Sequence, residues 1–113
     1  MKTAVIYARY SSDRQTEQSI EGQLHVCEDY AKKNEIIIVD TYIDRAMTGT
    51  NDNREAFQKM LADSDKKEWD YCLVYKLDRF SRNKYEMAIH RKHLKDNGVK
   101  ILSVMENIPD SPE

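Results

Sequence analysis

Four short runs dense in β-branched and aromatic residues, at 3–8, 36–43, 71–75 and 99–104, punctuate this chain and constrain its fold more than any other feature. The stretches between them carry apolar residues at helical spacing. Residues 19–34 place Ile20, Leu24, Cys27 and Ala31 on one stripe, with Gly22 weakening the first turn. Phe57, Met60 and Leu61 mark a second helix, which Asn53 is placed to cap. Residues 83–97 make a third, stopped by Gly98 where a left-handed residue commonly ends a helix. Strand and helix alternating in this order require crossovers that return each strand in the same direction. The expected fold class is therefore α/β, a mostly parallel central sheet with helices on both faces. The unbroken run Ile36, Ile37, Ile38 and Val39, continuing through Tyr42 and Ile43, predicts that the second strand is central and buried on both faces.

A chain of 113 residues makes one domain with one core, so a single site is expected. Its net charge of −2 excludes a surface that grips nucleic acid everywhere by neutralising phosphates. Contact with nucleic acid must be local or shared with another module. No apolar stretch approaches a membrane span and the start carries no signal-peptide pattern, which makes the cytoplasm the expected location. Cys27 and Cys72 fall on different elements without metal-like spacing and read as buried free thiols. His90 and His93 lie three apart on the third helix without a third ligand, and read as solvated rather than as a zinc site.

Parallel strands bring three polar strand ends to one edge, where α/β proteins place their ligand sites. They are Arg9, Tyr10, Ser11 and Ser12; the stretch 44–50, from Asp44 through Thr48 and Gly49; and Lys76, Leu77, Asp78, Arg79, Phe80, Ser81 and Arg82. Guanidinium forks match phosphate oxygens, so Arg79 and Arg82 beside a carboxylate suggest phosphoryl transfer. A serine attacking a phosphodiester needs positioning and cations around the transition state. Ser11 stands two residues from Arg9 and shares its side of an extended segment, whereas Ser12 points away. Asp40 and Asp44 raise a magnesium-dependent phosphotransferase as an alternative, against which the arginine-rich edge favours metal-free chemistry. The base that accepts the Ser11 proton stays unassigned, since arginine remains protonated and the motif holds no histidine.

Taken in order, Tyr7, Ala8, Arg9, Tyr10, Ser11 and Ser12, then Gln23, Asp44, Thr48, Gly49 and Arg54, then the run from Lys76 to Arg82, resemble the catalytic domain of the serine recombinases, the resolvase/invertase family. The resemblance covers nearly the whole chain. Ser19, Ile20, Glu21, Gly22 and Gln23, with Asp52, Asn53 and Arg54, are more similar to the large serine recombinase, or serine integrase, branch. Tyr10 stands where a smaller β-branched residue is common and Thr48 where serine is usual; neither change removes an essential functional group. The resemblance implies that Ser11 attacks the DNA backbone to form a 5′-phosphoserine link. Arg9, Arg79 and Arg82 would hold the phosphate, and Asp78 would protonate the leaving oxygen, a role that its arginine neighbours oppose by favouring the charged carboxylate. Gln23, Asp44, Thr48 and Arg54 would support them.

The resemblance further implies DNA as partner, self-association to a dimer and an active tetramer, no cofactor, no metal and no membrane, in a bacterial or phage-encoded protein. Residues 1–113 would be one N-terminal catalytic domain, ending before a long linking helix and a DNA-binding region. Two other readings stand beside it: a serine transposase of related fold, with its DNA-binding segment ahead of the catalytic domain, and a noncatalytic α/β domain whose basic cluster only holds an anion.

Overall fold

The computed structural model describes residues 2–9, 20–44, 55–66, 68–76 and 84–105. Its elements run β1 (Lys2–Arg9), α1 (Ile20–Lys33), β2 (Ile36–Asp44), α2 (Glu55–Asp63) with a 3-10 turn at Ser64–Lys66, β3 (Tyr71–Val74), α3 (Lys84–Asp96) and β4 (Lys100–Ser103). The strands form one sheet in the order β2-β1-β3-β4, and every neighbouring pair is parallel. The expected α/β class is observed.

β1 is the centre of the packing because its side chains alternate between two cores. Ala4 and Ile6 join Leu73 of β3 against Cys27 and Ala31 of α1. Val5 and Tyr7 join Cys72 and Val74 against Phe57 and Met60 of α2 and Leu94 of α3. Helices therefore cover both faces, α1 on one and α2 with α3 on the other. Each fully buried aliphatic side chain in these clusters contributes roughly 1.5–3 kcal/mol of transfer free energy.

The second strand departs from the expectation drawn from its composition. β2 is an edge strand rather than a central one, with Ile37 46% and Val39 49% exposed. A β-branched run suits either position, and only neighbours on both sides make a strand central. Its pairing with β1 also shifts register, from Ala4↔Ile38 to Val5↔Asp40. Val39 is the extra residue of a bulge, and a one-residue shift exchanges the faces of everything beyond it. Ile36 and Ile38 thus pack with the α1 core, whereas Tyr42 packs with the α2 core.

Of the two histidines, only His90 differs from expectation, being partly buried, while His93 is exposed as expected. The His90 ring packs edge-on to Phe57 at 4.8 Å, and His93 Nε2 lies 3.4 Å from Asp65 Oδ1. His90 is drawn in because α3 packs beside α2 and its following turn, where Asn97 Nδ2 also donates to Ser64 Oγ at 2.9 Å. Among the described residues no group of three potential metal ligands occurs, and no helix is long and apolar enough to cross a membrane. Cys27 and Cys72 are buried and free. Burial, then the nearby Glu28, pushes the Cys27 thiol up to about 12; burial, then Cys27, raises Cys72.

α3 ends as its sequence predicts. Gly98 N donates to Lys95 O at 2.9 Å and Val99 N to Leu94 O at 2.8 Å, with Gly98 at φ 81°. This is a Schellman closure, and the accompanying apolar contact is made by Leu94 and Val99, both buried in the same core.

Candidate active site

The strand order fixes where a ligand site belongs. The chain passes from β1 to β2 through α1 on one face and returns from β2 past β1 to β3 through α2 on the other, which opens a crevice beyond the carboxyl ends of the central strands. Three segments leave the sheet at this edge, after Arg9, after Asp44 and after β3. They carry Ser11, then Thr48 and Arg54, then Asp78, Arg79 and Arg82, all of which lie outside the described residues, as does the predicted cap Asn53. The remaining predicted site residues, Arg9, Gln23 and Asp44, are described, and the fold brings them together.

Arg9 is the last residue of β1 and is paired with Asp44, the last of β2. On β1's other flank, pairing with β3 stops two residues earlier, at Tyr7↔Val74. Gln23 continues the bonding beyond that point. Its Nε2 donates to Arg9 O at 2.9 Å and its Oε1 accepts from Arg9 N at 3.3 Å, so one side-chain amide acts as a further strand residue. Gln23 is fully buried, and a buried amide is tolerated because its polar atoms are paired in this way. It supports the site from beneath without facing solvent.

Gln23 belongs to the inner stripe of α1 with Ile20, Cys27 and Ala31, while Leu24, expected inward, is only partly buried. Gln23 stands three residues after Ile20 and four before Cys27, a spacing that fits the stripe but does not by itself choose it over Leu24.

Asp44 is equally committed. Its Oδ1 accepts from Ala56 N at 2.9 Å, and its Oδ2 accepts from Phe57 N at 3.0 Å and from the Tyr7 hydroxyl at 2.8 Å. A carboxylate from β2 therefore caps the amino end of α2, where free amides and the helix dipole favour negative charge. The bulge at Val39 makes this possible by turning the end of β2 toward α2. Asp40, the other carboxylate of that strand, accepts instead from its neighbour Thr41 N at 2.8 Å. The two carboxylates thus serve separate groups.

Tyr7 was missed as a site-supporting residue. Its place in an apolar strand reads as core, and the ring is indeed fully buried. Only the pairing of β1 with β2 reveals that its hydroxyl reaches Asp44.

Comparison with known proteins agrees with this architecture. Residues 4–113 match the family model described as the resolvase N-terminal domain. The N-terminal catalytic domain of TP901-1 integrase is 31% identical over 95% of this chain and 80% of that one, with a TM-score of 0.83. A resolvase family site-specific recombinase from Streptococcus pneumoniae is 28% identical, covering 100% of this chain and 78% of that one, with a TM-score of 0.86. The C-terminal catalytic domain of ISC1926 TnpA, an IS607-like serine recombinase, is 31% identical over 90% of this chain and 69% of that one, with a TM-score of 0.75. No curated protein matches the chain.

Proposed function

The chain belongs to the resolvase family of serine recombinases, enzymes of site-specific DNA recombination, and from that premise we propose that Ser11 is its nucleophile. Ser11 Oγ attacks a backbone phosphorus, the bond from phosphorus to the 3′ oxygen breaks, and a 5′-phosphoserine link and a 3′-hydroxyl result. Attack by the 3′-hydroxyl of an exchanged strand reverses the step and releases serine. One phosphoester replaces another each time, so the bond is conserved for rejoining without an external energy source.

Arg9, Arg79 and Arg82 stabilise the charge on the transferring phosphoryl group, and Asp78 delivers the proton to the leaving oxygen. Thr48 and Arg54 support the phosphate from the segment after β2. Gln23 and Asp44 are positioning residues rather than DNA contacts, because Gln23 is buried and the Asp44 carboxylate is engaged by three donors. The observation that carries this reading is the convergence of three parallel strand ends on one edge, with Arg9 held there through both its main-chain polar groups.

The domain works within a longer protein that supplies DNA-sequence recognition, and self-associates to a dimer and an active tetramer, since four strands must be cut and rejoined. The equal identity to an IS607-like catalytic domain favours transposition as the second reading. A DNA-binding segment ahead of the catalytic domain in the complete protein would select it.

The test is covalent trapping on a nicked duplex bearing the crossover site. The complete protein with Ser11→Ala should retain site binding and form no adduct. An undiminished adduct in that variant would remove Ser11 from the mechanism, and no adduct with the unaltered protein would favour a noncatalytic anion-binding domain.

A further inference from the structure

We infer that a basic cleft between the end of α3 and the start of β4 is a second DNA-backbone site, remote from the phosphate that is cut; this rests on the reading above that the protein acts on DNA. The cleft has a volume of about 840 Å³, and its charged lining is Arg91, Lys92, Lys95 and Asp96 of α3 with Lys100 of β4. Four cations and one carboxylate give it a local charge of +3 in a chain whose net charge is −2. That balance excludes phosphate neutralisation over the whole surface, so a backbone contact has to be concentrated in such a place.

Helix and strand gather these charges without neutralising them. Arg91, Lys92 and Lys95 are exposed within about one turn of α3, and the closure at Gly98 turns the chain back so that Lys100 opens β4 beside them. Asp96, the one acid of the lining, is held by Lys92 Nζ at 3.2 Å. Among the described residues no carboxylate pairs with Arg91 or Lys95. A cation in the last turn of a helix also complements its dipole, a purpose that covers Lys95 but neither Arg91, earlier in the helix, nor Lys100 outside it.

The place of the cleft separates it from the catalytic edge. Lys100 lies level with Ala4 of β1 through Tyr71 of β3, whereas Arg9 lies five residues further along β1, about 16 Å at the rise of a strand. The lining decides what part of DNA it holds. It has no aromatic or histidine side chain on which a base could stack, so it takes phosphates and reads no sequence. An acidic protein segment is the competing occupant, but protein partners anchor through side chains sunk in apolar pockets. Val99, the apolar residue at the turn, is only 3% exposed and already sealed in the core with Leu94, and Ile101 packs against the same core. Charge is what the cleft has to offer.

Duplex binding by the complete protein, measured against salt concentration in a Ser11→Ala background so that no covalent link contributes, decides the matter. Replacing Arg91, Lys95 and Lys100 together by glutamine should make the slope of log affinity against log salt shallower by about 2–3, close to one per lost phosphate contact, and equally on a crossover-site duplex and an unrelated one. Asp96→Asn, which releases Lys92, should instead steepen the slope by about one. With Ser11 restored and the duplex saturated, the triple variant should form the covalent adduct at the unaltered rate. An unchanged slope in the triple variant, the result expected of a cleft that receives an acidic protein segment, would overturn the inference, as would a loss confined to the crossover site or no steepening in Asp96→Asn. Absence of an adduct in the unaltered protein would count against the assignment of Ser11, and the salt slopes would still decide the cleft.

Discussion

At the scale of single residues, chemistry and geometry are separable in this site. The polar strand ends at Arg9 and Asp44 were legible because such side chains are unusual at the ends of apolar strands. Tyr7 was not, because a tyrosine within Val5, Ile6, Tyr7 and Ala8 gives no sign of which neighbour its hydroxyl will meet. Gln23 was legible as a motif residue, but its burial and its grip on the Arg9 backbone depend on tertiary contacts. Replacing it with leucine would leave Arg9 N and O without these partners. Gln23→Leu should destabilise the domain by about 1–3 kcal/mol in urea titrations, the typical penalty for unpaired buried polar groups. Gly98 was predictable from position alone, and its φ of 81° bears this out. With open space around a built Cβ, Gly98→Ala should cost only the conformational penalty, about 1–2 kcal/mol, measured the same way.

Among the elements, helix and strand identities followed from periodicity, and the all-parallel sheet followed from their alternation. The order of strands did not. Four isoleucine and valine residues in succession look like a buried centre, yet β2 lies at the edge, where Ile37 and Val39 face outward. Nor does composition disclose the bulge, because an inserted residue that preserves a β-branched run leaves no trace in the pattern. The bulge nevertheless decides which face Asp44 serves. Deleting Val39 should turn Asp44 from the α2 face and remove its cap, lowering stability by at least about 2 kcal/mol, the upper range for a lost helix cap. Val39→Ala, at a half-exposed site, should have a much smaller effect; thermal melts of the two variants provide the comparison.

For the molecule as a whole, two buried thiols impose an alkaline limit. Their folded pKa values are raised, so below the unfolded thiol value, near about 8.5, both states are protonated and their contribution is complete. Above it the unfolded chain ionises first, and stability falls as pH rises toward the folded value of Cys27 at about 12. Tyr42, raised chiefly by burial and then by its bond to Asp63, acts in the same direction. Urea midpoints should therefore fall between about pH 8.5 and about pH 11 by more in the unaltered domain than in Cys27→Ala. In the proposed function, the strand ends of this scaffold present a nucleophile and its cations to DNA. The most direct measurement of that claim is peptide mapping of the complete protein trapped on a nicked crossover site. A phosphodiester-derived link at Ser11, with DNA attached through its 5′ end, is the predicted result. A link at Ser12, at a tyrosine or through a 3′ phosphate would contradict it.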